Sequence, residues 1–248
     1  MTTAAGPRPA AEVAAGLGTL LGVWAHPDDE AYLSGGLMAA AVDAGSRVVC
    51  VTATRGERGT LDPGTWPPAR LAPVREAELA VSLAVLGVSE HRQLGYPDGG
   101  CAAVPAVGAV DRLAALVAEV GPDTVLTFGP DGVTGHPDHR TVSAWATAVV
   151  RRSGPGRAPR LLYAAKTGAW CDRFAALHRA IGAFPPGLPA RVPADQVAFE
   201  FVLAGDLLDR KLAALMAQAS QVTPVVEALG EDAFRSWVAI ECFRPAVI

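Results

Sequence analysis

Cysteine, histidine and aromatic side chains are all scarce in this 248-residue chain, which has 4 cysteines, 5 histidines and 6% Phe, Trp and Tyr. Cys50, Cys101, Cys171 and Cys242 stand far apart and make no C-x-x-C pair, which excludes paired-cysteine motifs. Cys50 and Cys242 fall in apolar runs and read as small buried hydrophobes, so a reducing, cytoplasmic setting is expected. No strongly basic stretch exists. Arg151-Arg152 is the densest pair and the net charge is -4, so nucleic acid is not an expected partner. No uncharged apolar run of about 18 residues marks a membrane span. Residues 1–18 lack the basic start and continuous apolar stretch of a signal peptide. The first apolar run leads into no glycine-rich phosphate loop, no G-x-S-x-G elbow occurs, and neither histidine-rich loop holds a cysteine. These absences weigh against a nucleotide binder and against a serine or cysteine nucleophile.

What is present is apolar residues, 50% of the chain, arranged in alternating patterns. Strand-like runs at 19–25, 47–53, 91–95, 124–128 and 161–165 alternate with helix-like segments at 30–44, 74–86, 107–120 and 138–150. The alternation predicts an α/β fold: a Rossmann-like, mostly parallel sheet with helices on both faces. Ligands of such sheets bind beyond the carboxyl ends of the strands. Beyond 165 the expected elements are a strand at 196–204, a helix at 206–219 and a strand at 237–243, with a proline-rich loop at 184–193 placed to lie over a site. The length fits one domain over 1–248, with 1–15 as a flexible tail and 166–248 as a C-terminal cap or extension.

Three of the histidines fall in two short stretches, Ala25-His26-Pro27-Asp28-Asp29-Glu30 and Gly135-His136-Pro137-Asp138-His139. Each follows an expected strand, so both loops reach the ligand-binding edge. His26, Asp29 and His139 supply two imidazoles and a carboxylate, the kind of three-ligand set that leaves a catalytic zinc (Zn2+) an open position. The same set accepts iron(II) (Fe2+) or another divalent ion. Such a centre lowers the pKa of a bound water toward neutrality. Asp28 is the candidate general base beside it, and His136 the candidate donor to developing negative charge. Asp138 could orient either histidine of its loop. His91 and His178 have no such company and read as structural or surface residues.

These two stretches resemble the signatures of the LmbE-like, or PIG-L, N-acetylglucosaminyl deacetylase family. The resemblance continues through Thr52-Ala53-Thr54-Arg55-Gly56-Glu57, Arg75-Glu76-Ala77-Glu78 and Leu94-Gly95-Tyr96-Pro97-Asp98, with a fainter echo in 211–221 and 241–243. It implies zinc held by His26, Asp29 and His139, Asp28 as base, and His136 stabilising the oxyanion or protonating the leaving amine. It also implies Arg75 and Asp98 on sugar hydroxyls. Arg55 and Glu57 are read as an internal ion pair shaping the metal loop. Some relatives carry a tyrosine where Thr134 stands and a histidine where Gln218 stands, so these two are the departures at expected substrate-binding positions. The implied activity is hydrolysis of an N-acetyl group from an N-acetylglucosamine-containing glycoside, with a small-molecule amino sugar or glycoconjugate as partner. An amidase for a larger acyl or thiol-sugar conjugate, and a non-catalytic metal-containing sugar binder, are the alternatives. A homo-oligomer and a monomer both remain compatible with the sequence.

Overall fold

The computed structural model describes residues 9–60, 62–154, 156, 158–182 and 184–247. Runs dominated by apolar residues and threonine make the central strands, and they are buried along their whole length, as strands covered on both faces must be. These are β1 (Leu20–Trp24), β2 (Val48–Thr54) and β4 (Thr124–Phe128), flanked by β3 (Glu90–Tyr96) and β5 (Arg160–Ala164). With β8 (Phe199–Val202) and β9 (Ile240–Pro245) they form one seven-stranded sheet in the order β3-β2-β1-β4-β5-β9-β8. The first five strands are mutually parallel, and β9 runs antiparallel to both neighbours. Short β6 (Lys166–Thr167) and β7 (Arg191–Val192) pair separately.

The connecting helices are α2 (Asp29–Asp43), α3 (Pro68–Leu86), α4 (Ala106–Val120) and α5 (Pro137–Arg152). The order runs one way from β1 to β3 and the other way from β4 to β5. Right-handed crossovers therefore place α2 and α3 on one face and α4 and α5 on the other. The reversal makes β1 and β4 the topological switch point, where a crevice opens past the strand ends. Their pairing runs only from Leu20↔Thr124 to Gly22↔Leu126. His26 and His139 lie just beyond.

Several boundaries differ from expectation. Ala10–Ala15 forms a helix, α1, with Val13 and Ala14 buried in the core; residues 1–8 of the expected tail lie outside the described residues. Helix α3 begins at Pro68 rather than 74 and carries Pro73 inside it, because Pro68 at its start fits a helical first turn. The segment 166–248 is more than an extension, since β8 and β9 complete the main sheet. It also supplies α6 (Gly168–Arg173), α7 (Ala175–Ile181), α8 (Gly205–Met216), α9 (Ala219–Leu229) and α10 (Glu231–Val238). The strand expected over 237–243 starts only at Ile240, since α10 takes Trp237 and Val238.

A fully buried ion pair ties this region to α2. Lys211 Nζ lies 2.7 Å from Glu241 Oε1, with both side chains 0% exposed. The pair brackets one rung of α2: Lys211 donates to the Tyr32 carbonyl, and the Glu241 carboxylate accepts from the amides of Gly36 and Leu37. Residues 211 and 241 are thus the physical link between the C-terminal elements and the helix that starts at Asp29.

Candidate active site

Two loops build the centre. After β1, the chain turns through His26-Pro27-Asp28 into α2; after β4, it passes Val133 and Thr134 into α5 at His136. His26 Nδ1 lies 3.1 Å from His139 Nε2 and 3.5 Å from Asp29 Oδ2, while His139 Nε2 lies 3.3 Å from Asp29 Oδ1. Three donors thus converge, and Asp29 Oδ2 also accepts the His26 backbone amide at 2.8 Å.

The outer nitrogens of both rings are occupied. His139 Nδ1 donates to the Gly132 carbonyl at 2.9 Å, so its Nε2 lone pair faces the centre. His26 Nε2 sits 3.1 Å from Asp98 Oδ1 and 3.3 Å from Asp138 Oδ2, so its Nδ1 faces the centre. Asp138 is fixed in turn by the amides of Gly99 and Cys101. Such outer partners set ring tautomer and ligand basicity in metal sites. Phe128 stacks on the His139 ring at 4.1 Å between centroids and holds its plane. The donors and their orientation therefore fit a divalent ion, which His26, Asp29 and His139 could hold. The His136 ring closes the cluster from the side, its donor within 4.8 Å of those of His26 and His139.

Charge at the centre follows from burial and neighbours. Burial disfavours the His26 cation, but Asp138, Asp29 and Asp98 outweigh it and raise the ring well above the ordinary imidazole range. Burial would raise Asp29, yet His139 and His26 hold it down to about 2. Asp98 behaves alike, drawn down to about 2 by His26 against its own burial. Burial lowers His139 and also His136, where His26 adds to the effect.

Asp28 stands apart. Its backbone has φ of 109°, in the region that disfavours a side chain, and it caps α2. Arg75 holds it there: Nη2 donates to Asp28 Oδ2 at 3.0 Å and to the Pro27 carbonyl, and Nη1 donates to the Gly56 carbonyl at 2.8 Å. The Asp28 amide donates to Glu30 Oε2. Burial pushes the Asp28 carboxyl up to about 7, with Arg75 pulling against it, which is the range a general base needs at neutral pH. His136 Nδ1 accepts the Asp138 amide, which leaves its proton on Nε2.

The remaining expected residues divide. Thr134 lines the cavity, with its hydroxyl 3.2 Å from His139 Nδ1. Arg75 and Asp98 reach the cavity wall but are already engaged: Arg75 is 3% exposed and clamps backbone, and Asp98 Oδ2 accepts the Arg58 amide while Oδ1 faces His26. Gln218 is not brought to the cavity. It is 1% exposed, and its amide donates to Glu30 Oε1 and to Ser82. The Arg55–Glu57 pair does not form either: Arg55 pairs with Glu76, and Glu57 accepts the Asp98 amide. Sequence reasoning missed Glu30, which burial and the neighbouring Asp28 raise to about 8. Phe184, in the proline-rich loop expected over a site, does line the cavity, but the rest of its far wall, Tyr32, Lys166, Trp170 and Trp237, was missed. No local pattern marked these scattered residues.

A Rossmann-like sheet with an imidazole–carboxylate centre in its switch-point crevice defines an α/β enzyme built around a candidate divalent-metal site. Residues 21–150 match the family described as PIG-L, GlcNAc-PI de-N-acetylase. A relative in Saccharomonospora viridis, a 1D-myo-inositol 2-acetamido-2-deoxy-alpha-D-glucopyranoside deacetylase, is 36% identical over 87% of this chain and 87% of its own. The protein of that name in Rhodococcus erythropolis is 31% identical over 82% and 81%. The N,N'-diacetylchitobiose deacetylase from Pyrococcus horikoshii shares the fold, with a TM-score of 0.67 at 23% identity over 93% of this chain and 84% of that one. The chain belongs to the PIG-L family and is an amide-bond hydrolase. No helix among the described residues is long and apolar enough to cross a membrane.

Proposed function

We propose that this protein removes the N-acetyl group from an N-acetylglucosamine-containing glycoside by direct attack of water, with zinc as the metal at His26, Asp29 and His139. The observation that carries the reading is the convergence of these donors, with both outer imidazole nitrogens hydrogen-bonded, beside an aspartate held at φ 109°. When bound, a divalent ion supplies Lewis acidity toward the amide carbonyl and acidifies water.

The chain's own residues do the rest. Asp28, oriented by Arg75, takes the proton of the attacking water. His136 directs its Nε2 proton at the oxygen on which negative charge develops. The proton held by Asp28 then passes to the leaving amine, so water is added across the amide and acetate departs. The named activities of the relatives support an acetamido sugar as substrate. A second reading, hydrolysis of a longer acyl amide, rests on a cavity of about 700 Å3, the size of sites for larger ligands.

The test is acetate release from N-acetylglucosamine and a panel of its glycosides, with zinc-loaded parent protein and Asp28→Asn. Release by the parent, with the variant folded and metal-bound yet slower by about 100-fold or more, is expected. Zinc bound without turnover of any acetylated or longer-acyl glucosamine would sink the enzymatic reading.

A further inference from the structure

The cavity has two unlike halves. One holds the polar centre. The other is walled by Trp170, Phe184, Trp237, Ile181 and Val225 and is mainly apolar. Into it comes a single cation, Lys166, on short strand β6. Lys166 is 8% exposed, and among the described residues its ammonium has no hydrogen bond and no ion pair. It lies over the face of Trp170, 4.5 Å from Nζ to ring centroid.

A buried, unpaired ammonium is costly, and a ring face offsets only part of that cost. The charged groups around it do not offset the remainder. Lys211 repels it, and Glu241 is committed to Lys211 and to the amides of Gly36 and Leu37. Burial, with Lys211 nearby, draws Lys166 down to about 8. Behind Lys166 lies a smaller cavity of about 220 Å3 bordered by Arg191, Arg244 and Asp131, where the balance is again basic.

Resting on the deacetylase reading, we infer that Lys166 on Trp170 is a specificity residue for the group attached to the sugar, which is an apolar or aromatic moiety bearing an anionic carboxylate or phosphate. The aromatic wall takes the moiety, and Lys166, with which no described residue is paired, takes the charge. The acetamido end meanwhile faces Asp28 and His136 in the other half of the cavity.

The test compares 4-carboxyphenyl, 4-phosphophenyl and neutral 4-carbamoylphenyl N-acetylglucosaminides as substrates of the zinc-loaded protein. In parallel, calorimetry compares sugar-free 2-naphthoate and 2-naphthamide. A charge-assisted contact should favour an anionic aglycone by about tenfold or more in kcat/KM, and naphthoate over naphthamide by a similar factor in Kd. Whether carboxylate or phosphate leads tells the two sources of charge apart. In Lys166→Met both preferences should fall to about unity, and Lys166→Arg should restore part of them. Equal kcat/KM for charged and neutral glycosides, with equal naphthoate and naphthamide binding by the parent protein, overturns the inference and leaves the deacetylase reading intact. That comparison needs no variant to fold. Absence of acetate from every glycoside, with naphthoate still bound through Lys166, supports the subsite and counts against the deacetylase reading alone.

Discussion

Replacing Glu241 by Gln removes the carboxylate paired with Lys211 while keeping the shape of the side chain. Lys211 is fully buried, and burial already pulls it below the ordinary lysine range with Glu241 still present. Without that carboxylate the folded state holds a neutral amine, whereas the unfolded chain keeps the proton up to about pH 10.5. Stripping the proton at pH 7 costs about 1.4 kcal/mol for each of roughly 3.5 units, or about 5 kcal/mol at most. That ceiling agrees with about 3–5 kcal/mol for breaking a buried pair by removing one partner. The sign of the pH dependence follows. The unfolded variant binds more protons, so its stability rises with pH, and the gap to the parent narrows by about 1.4 kcal/mol per unit from pH 7 until the parent's own Lys211 begins to lose its proton. Urea denaturation of both proteins at pH 7, 8 and 9 measures the gap directly. Lys211→Met combined with Glu241→Gln buries no charge and should lose less than Glu241→Gln alone. A gap below about 1 kcal/mol at pH 7, or one that does not change with pH, would refute the reasoning.

Asp98→Asn keeps the shape but removes the charge facing His26 Nε2, and should weaken zinc binding by about 10- to 100-fold in a chelator competition while Asp28 stays in place. Gly56→Ala should cost about 1–3 kcal/mol and displace Arg75 from Asp28, because Gly56 has φ of 63° and a Cβ there would meet the Arg75 guanidinium. Thermal melting and kcat should fall together in that variant. Gln218→Met leaves Glu30 Oε1 and Ser82 short of a donor inside the protein, so the melting temperature should drop while KM for the glycoside stays within about twofold, since Gln218 does not reach the cavity.

The convergence of His26, Asp29 and His139 was legible because their motifs are local. A strand followed by His-Pro-Asp-Asp-Glu states both its place at the sheet edge and its donors, and the second loop repeats the device. Arg75 was expected on a sugar hydroxyl, but its partners are Asp28 and the carbonyls of Pro27 and Gly56, and backbone groups carry no sequence signal. Gln218 lies within the quoted 211–221 stretch, but the turn between α8 and α9 points it inward to Glu30. The central strands were read closely because a parallel sheet buried on both faces demands continuous apolar runs. The C-terminal elements were read less well. Edge strand β8 is only partly buried and shows no such run, and α10 interrupts what looked like a single strand into β9.

The candidate metal donors and, Tyr32 aside, the cavity's far wall come from different stretches of chain. His26, Asp28, Asp29, His136 and His139 all lie within residues 21–150, the span that matches the family, whereas Lys166, Trp170, Phe184 and Trp237 all follow it. The bond that is cut and the molecule that is chosen are thus written in separable text. On the proposed reading, drift in the later stretch would re-address the enzyme to a new substrate while leaving the hydrolytic apparatus in place. A laboratory seeking a new specificity would accordingly randomise the wall from Lys166 to Trp237 and leave the two histidine loops alone.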